Sequence, residues 1–430
     1  MFENIPAEQI KYIFENTDDA VCVVSPTGVL LECNPSAEKL FGIPSKSDIK
    51  IWDAIPYIEG NDDLIQLFID AVARKLTSQE AVVDYVKDDG SVHNLHVRMT
   101  YFKEQLTAYL IVITDLTKLI QVKSAFARYT SPDIADYVLT TEEGQKRGGQ
   151  TQNVTIMMSD LRGFTALATT MSAQRLINLL NHYFEKMVSV IEKYHGTVIE
   201  FLGDGIFIVF GAPRDWPDHA SLAVKCAVEM QNAMISVNEW NSENGYPDLE
   251  MGIGINSGSV VVGNIGSDKK MKYGCMGSPV NTAGRLEGLT IGGQILITEN
   301  TRSLLSEDIS YVSEGKFLPK GSTNELKYYE VTAIGGLPVL LNHKDIVWSD
   351  RSDECSFFVL KAKTVIEEEH SGKLVKISSD DRFAMLSADI ELEDHQNILV
   401  CRNGERKYAK VIGSDEGLYR ICFTSVTQGA

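Results

Sequence analysis

The sequence predicts a multidomain chain of the α+β class. Three observations predict it. At 430 residues the chain has room for two to four domains. Its middle reads strand, helix, hairpin, helix, strand, an order in which a mostly antiparallel sheet carries its helices. From about residue 345 to 430 it reads almost wholly as short strands separated by turn signals, the pattern of a small β-barrel.

Composition narrows the function classes. The chain carries 40 Lys and Arg against 59 Asp and Glu, a net charge of −19. That argues against bulk nucleic-acid binding, and a polyanionic substrate would need metal ions and locally placed cations. No apolar run reaches the ~20 residues of a membrane span. The acidic start MFENIPAEQIKYIFENTDD lacks the basic and apolar segments of a signal peptide. The seven cysteines (Cys22, Cys33, Cys226, Cys275, Cys355, Cys401, Cys422) are scattered, without a close pair suggesting zinc or redox chemistry. A reducing, cytoplasmic location is expected.

In chain order, residues 8–115 form the first unit. Ala20–Val24 and Val29–Cys33 are short strands around a Ser25-Pro-Thr-Gly28 turn, and Asn34-Pro35 opens a helix that stops at Gly42. Strands follow at Ala81–Val86, Val92–Met99 and Ala108–Ile113, with Asp88-Asp89-Gly90 as a turn. Thr27, Gly28, Leu31, Asn34, Ala37, Leu40, Phe41 and Gly42, with the exit triplet Asp115-Leu116-Thr117, resemble the PAS family of α/β sensor domains. The resemblance implies a ligand that the sequence leaves unknown. His93 and His96, three apart on a strand, point to opposite faces and are expected to be solvated or structural, not haem ligands.

Residues 116–151 are the connector. Leu119, Val122, Phe126 and Tyr129 follow the 3-4-3 spacing of a short parallel coiled-coil seam, which an amphipathic helix packed on a neighbour would also show. Ser131-Pro132 caps a new helix, and Thr140–Thr151 reads as a polar loop.

Residues 152–335 are the core. The strand Val154–Met158 leads to Asp160. The long helix Ser172–Tyr194 has Leu176, Leu179, Leu180, Tyr183 and Met187 at helical spacing. The stretch from Gly196 to Pro213 reads as a hairpin with Gly203-Asp204-Gly205 at its tip. A helix (Asp218–Asn241) and a strand (Leu249–Ile255) follow, then Gly-rich loops around Ser257-Gly258 and Gly263–Gly266. Beyond lie a strand near Met271–Cys275, a helix near Val280–Leu289 and a strand at Gln294–Thr298. This is a ferredoxin-like order with additions. Its first and third strands are neighbours, so Asp160 and Asp204 are expected to meet. Glu200, among apolar neighbours in the hairpin, needs a partner.

The runs MMSDLRGFTAL, GTVIEFLGDGIFIVFGAP, GIGINSGSVVVGNIGS and GSPVNTAGRLEGLT resemble the class III nucleotidyl cyclases, over roughly Phe126 to Val331. The resemblance implies cyclisation of a nucleoside triphosphate by in-line attack of the ribose 3′-oxygen on the α-phosphorus, with two Mg²⁺ or Mn²⁺ ions per site. It assigns the metals to Asp160, Asp204 and the Leu161 backbone carbonyl. The turn through Phe164 and Thr165 would offer amide N–H groups to the phosphates, with Arg162 an anchor or a phosphate contact. Asn281 would orient the ribose and Arg285 would stabilise charge on the α-phosphate. These two are four apart and share a helix face, and arginine is an always-charged fork suited to that task. Lys320, or else Lys327, would hold the terminal phosphates. The metal and Asn/Arg halves face one another across a dimer interface, which implies a head-to-tail homodimer.

For the base, Glu200 stands where adenylyl cyclases resemble one another in carrying Lys. Its partner position is Gly274, with Cys275 the alternative. A carboxylate matches the N1 and N2 donors of guanine and opposes the N1 acceptor of adenine, at a cost on the order of 1–3 kcal/mol. Ser278 departs from the usual acidic residue of the last motif, and Gly252 stands where many relatives carry an arginine. The expectation is a PAS-regulated guanylyl cyclase making cGMP and pyrophosphate from GTP. Adenylyl cyclase is the nearest rival, and an inactive receptor built on the cyclase fold is the rival from another class. The last unit, 345–430, resembles a PilZ domain in strand rhythm. Its loop Lys376–Arg382 lacks the glycine of the dinucleotide-binding motif, so a docking module with a protein partner is expected there.

Overall fold

A computed structural model describes residues 6–45, 48–103, 107–319, 324–340, 347–361, 364–415 and 417–427. The chain divides into two compact units, Met1–Tyr129 and Thr130–Ala430.

The first unit is a five-stranded sheet in the order β2-β1-β5-β4-β3. Its elements are α1 (Ala7–Asn16), β1 (Ala20–Val24), β2 (Leu30–Cys33), α2 (Pro35–Phe41), α3 (Asp62–Ala73), β3 (Ser78–Val86), β4 (Val92–Phe102), β5 (Ala108–Asp115) and α4 (Thr117–Tyr129). Asn34 caps α2 and also accepts from the Val21 amide, tying the first turn to the sheet. Helix α3 fills a stretch that carries no motif; its Leu64, Leu67, Phe68 and Ala71 are buried. The histidines are in hydrogen-bond contact with carboxylates: His93 with Asp115 (2.8 Å) and His96 with Glu80 (2.6 Å). Cys22 lies directly opposite Cys33 on β1 and β2, a pairing their spacing hides. Helix α4 buries no side chain; Leu119, Val122 and Tyr129 are 64%, 60% and 91% exposed.

The second unit opens with α5 (Pro132–Thr140) and α6 (Glu142–Gln145), followed by β6 (Gly148–Leu161), α7 (Phe164–Thr170), α8 (Ala173–Lys193), β7 (Thr197–Leu202), β8 (Gly205–Phe210) and α9 (His219–Glu243). The polar stretch 140–151 is thus a short helix and the start of a strand. Next come β9 (Met251–Ser267), β10 (Lys270–Met276), α10 (Ser278–Leu289), β11 (Ile295–Thr298), α11 (Glu299–Arg302), β12 (Ile309–Phe317), β13 (Leu326–Ile334) and β14 (Leu337–Pro338). The sheet order is β12-β13-β11-β9-β6-β8-β7, and β9-β6-β8-β7 is the ferredoxin-like core. Alternation of side chains sends Met157, Ile206 and Ile208 to the face covered by α8 and α9. Ile156, Phe207 and Val209 go to the opposite face, with Ile134 of α5 and Ala283 of α10.

The expected Gly-rich loops after Ile255 are not loops. Strand β9 continues to Ser267 and pairs with β6 from Met251 to Asn264. Its glycines are sites of close approach. A Cβ on Gly254 would lie 2.3 Å from the Glu287 amide nitrogen of α10.

The chain ends in a closed barrel, β15-β16-β17-β20-β19-β18. Its strands are β15 (Trp348–Lys361), β16 (Thr364–Ser378), β17 (Phe383–Ala388), β18 (Asn397–Arg402), β19 (Glu405–Asp415) and β20 (Leu418–Thr427). The sequence pattern reads strands at Phe357–Val365 and Ile390–Leu392; in the structure Val365 belongs to β16, and 390–392 is not a strand.

Candidate active site

Two carboxylates meet where β6 ends and β7 turns into β8. Asp160 is near the end of β6, and Asp204 is in the two-residue turn between β7 and β8. Strands β6 and β8 are paired, Ser159 opposite Ile206, which carries the turn to Asp160. Gly205 allows the approach: a Cβ there would fall 2.7 Å from the Ser159 carbonyl and 3.4 Å from Asp160 Oδ1. Asp204 Oδ2 accepts from the Leu161 amide (3.2 Å). Burial, and then the charge of Asp160, push the Asp204 carboxyl up to about 6.

Arg162 faces inward from the next turn. Its Nη2 pairs with Asp160 (3.1 Å) and with Glu287 of α10, and its Nη1 donates to the Thr290 carbonyl (3.4 Å). Gly252 packs below: a Cβ there would lie 1.9 Å from Thr290 Oγ1 and 3.4 Å from the Arg162 guanidinium carbon. Arg162 and Thr290 thus fill the place where an arginine side chain at 252 would begin. Phe164 is buried and Thr165 exposed at the start of α7.

Asn281 and Arg285 are exposed on one face of α10, whose other face buries Thr282, Ala283 and Leu286. Among the described residues neither is in hydrogen-bond contact with Asp160 or Asp204. Lys320 lies outside the described residues; Lys327 is exposed on β13.

Glu200 is not enclosed. The outer half of β7 is open, and Glu200 pairs with Lys272 of β10 (2.5 Å) with both side chains about half exposed. Strand alternation puts Gly274 on the Lys272 face. Cys275 points the other way into the cluster with Tyr273 and Ile134, where burial raises its thiol to about 11. The structure therefore brings Gly274, and not Cys275, to the side of Glu200. Sequence reasoning missed Lys272 and Glu287, because each meets its partner across separate elements and not at a local spacing.

The family model of the adenylate and guanylate cyclase catalytic domain matches residues 147–332. The solved guanylyl cyclase Cya2 is 42% identical over 45% of this chain and 99% of its own, with a TM-score of 0.44. Residues 147–332 thus carry this cyclase catalytic domain. A PAS-domain model matches residues 8–73. The solved adenylyl cyclase CyaB from P. aeruginosa is 34% identical over 43% of this chain and 96% of its own, with a TM-score of 0.41. Adenylate cyclase 1 of Rhizobium meliloti (strain 1021) is 28% identical over 211 residues, 49% of this chain and 32% of that protein. The chain spans about a third of the length of the curated relatives it matches.

The cyclase domain's donor set suits divalent ions. Two adjacent carboxylates, one with its proton affinity raised by the other, gain most from a shared cation. Among the described residues no group of three His, Cys, Asp or Glu side chains converges, so the rest of the coordination shell would come from backbone carbonyl, water and phosphate oxygens. No described helix is long and apolar enough to cross a membrane.

Proposed function

We propose that the chain is a guanylyl cyclase, converting GTP to 3′,5′-cyclic GMP and pyrophosphate as a homodimer regulated by its PAS domain. The observation that carries the choice of base is Glu200 beside Lys272. The Watson–Crick edge of guanine offers N–H donors at N1 and N2 and an acceptor at O6. Glu200 takes both donors and Lys272 donates to O6, three bonds in all. Adenine offers one donor at N6 and one acceptor at N1, two bonds to the same pair. The similarity to Cya2, a guanylyl cyclase by name, supports the same choice. The likeness to two adenylyl cyclases, with the ability of Lys272 to meet adenine N1, favours ATP as the second reading.

Asp160, Asp204 and the Leu161 carbonyl would hold two Mg²⁺ or Mn²⁺ ions, which supply activation of the 3′-oxygen and neutralisation of phosphate charge. Arg162 holds Asp160 in place from behind. Asn281 and Arg285 are free to meet ribose and α-phosphate, and Lys320 or Lys327 the terminal phosphates. The Asn/Arg face would serve the metal half of a second protomer. Supporting a dimer, β9 and β10 expose Val261, Ile265, Met271 and Met276, and α4 exposes the seam of Leu119, Val122 and Tyr129.

The test is incubation of purified protein with Mn²⁺ and GTP or ATP. Cyclic GMP in excess is expected, with loss of all turnover in Asp204→Ala. Cyclic AMP in excess would reject the base assignment, and no product from either would point to the inactive receptor.

A further inference from the structure

The C-terminal barrel meets the cyclase domain at the turn that follows α10. Ile291 in this turn is buried among Phe383 and Cys422 of the barrel, with Trp348 and Ile412 beside them. Two cations of the barrel enter at the same place. Lys410 of β19 is 3% exposed, and its ammonium donates to the carbonyls of Gly288 (2.6 Å) and Thr290 (2.9 Å). Arg382, in the turn between β16 and β17, donates to the Gly292 carbonyl (2.8 Å) and pairs with Glu250 (2.9 Å). This is the turn where the sequence suggested a degenerate ligand loop.

Thr290 and Glu250 also hold Arg162. The Thr290 carbonyl accepts from Arg162 Nη1 as well as from Lys410. The Glu250 carbonyl accepts from the Arg162 backbone amide (2.7 Å). Arg162 in turn grips Asp160 and Glu287, and its Nε has no partner among the described residues, so its Nη contacts fix the guanidinium. Two routes therefore run from the barrel to Asp160: one through the Thr290 carbonyl, which Arg162 shares with Lys410, and one through Glu250, whose carboxylate meets Arg382 and whose backbone carbonyl holds the Arg162 amide. A buried ammonium is a costly way to glue two domains, since an apolar side chain of similar volume would pack there without desolvation. What the ammonium adds is a fixed position for two carbonyls of the 288–290 turn.

We propose that the barrel is a working part of the metal site: Lys410 and Arg382 are positioning residues that fix Arg162, and through it Asp160, so that a seated barrel sets the affinity for the divalent ion. The inference rests on the assignment of Asp160 and Asp204 to metal. Loosening the barrel would weaken the ion's hold without touching the nucleotide contacts.

The test uses the full chain and Mn²⁺ alone, with binding read from the free-ion EPR signal and folding from thermal melts. Lys410→Met keeps an unbranched side chain and removes the ammonium. Arg382→Gln is milder, a partly exposed site that leaves the apolar contacts intact. Each is expected to weaken Mn²⁺ binding about three- to tenfold, less than the 10–100-fold typical of a group touching a ligand directly. The Mn²⁺ requirement for turnover should rise in parallel, with KM for GTP within about twofold. Adding Lys410→Met to Arg162→Lys should weaken binding no further than Arg162→Lys alone. A purely structural role would lower the melting temperature and leave Mn²⁺ affinity of the folded protein at the wild-type value. That result in both variants overturns the proposal. Wild-type protein that binds Mn²⁺ no better than Asp204→Ala overturns the metal assignment itself, and this inference with it.

Discussion

At the scale of single residues, the proposed reading of the base turns on one exposed ion pair. Such pairs contribute about 0–1 kcal/mol to stability, so Glu200 and Lys272 are free to exchange each other for a base. Removing Lys272 costs guanine its O6 contact. It costs adenine its N1 contact and leaves that acceptor beside a carboxylate. Lys272→Ala should therefore lower kcat/KM for both nucleotides and raise the GTP-to-ATP ratio about three- to tenfold. An unchanged or reversed ratio, measured with both substrates under one set of conditions, would remove Lys272 from the base site. Glu200→Lys should lose mainly the GTP activity. Lys410 makes a different residue-scale prediction. Burial, and then the nearby Arg162 charge, lower its pKa from 10.5 to about 8. Below pH 8 the folded and unfolded chains both carry the proton. Between about 8 and 10.5 the folded chain has shed a proton that the unfolded chain keeps, so stability rises with pH across that window. The neutral amine still has two N–H donors for its two carbonyls. Urea unfolding should show wild type gaining on Lys410→Met between pH 8 and 10.5, by on the order of 3 kcal/mol. A constant difference would show that the buried group titrates normally.

At the scale of elements, the meeting of Asp160 and Asp204 is legible in the sequence, while most of what supports them is not. A strand ending in Asp160 and a Gly-Asp-Gly tip between β-branched runs are local patterns, and the ferredoxin-like order brings them together. Strand β9 was misread because Asn256-Ser-Gly-Ser259 and Gly263-Asn-Ile-Gly266 carry the composition of turns. In the fold the polar side chains are buried and bonded: Ser257 to Thr155 (2.7 Å) and Thr301 (3.1 Å), Asn256 to Thr298 (2.7 Å) and the Pro279 carbonyl (3.0 Å). The glycines let α10 lie directly on the strand. No local spacing signals that, because the contact lies between segments some thirty residues apart. The consequence is testable at Gly254. An added Cβ would meet backbone of Glu287 at 2.3 Å and of Ala283 at 2.8 Å, and a helix backbone has no rotamer with which to yield. Gly254→Ala should push α10 outward with Asn281 and Arg285 on it. The expected cost is about 1–3 kcal/mol in urea unfolding and up to about a hundredfold in kcat. Wild-type kcat in this variant would mean that α10 does not set the position of those residues.

At the scale of the whole molecule, the two halves of the proposed chemistry are separate within one chain. Asp160 and Asp204 sit together at the strand ends, while Asn281 and Arg285 stand exposed and uncommitted to them. Exposed apolar side chains on β9 and β10 are where a second copy would bind in the proposed homodimer. If each site takes its carboxylates from one protomer and its Asn/Arg pair from the other, two variants that are each inactive must rescue one another. An Asp204→Ala homodimer lacks a metal ligand in both sites, and an Arg285→Ala homodimer lacks the arginine in both. When the two are unfolded together and refolded in equal amounts, half of the dimers are mixed. A mixed dimer gathers both lesions into one site and leaves the other intact. Activity should therefore recover to roughly a quarter of wild type. Sites contained within single protomers would give no recovery at any mixing ratio, since every protomer would carry a lesion of its own.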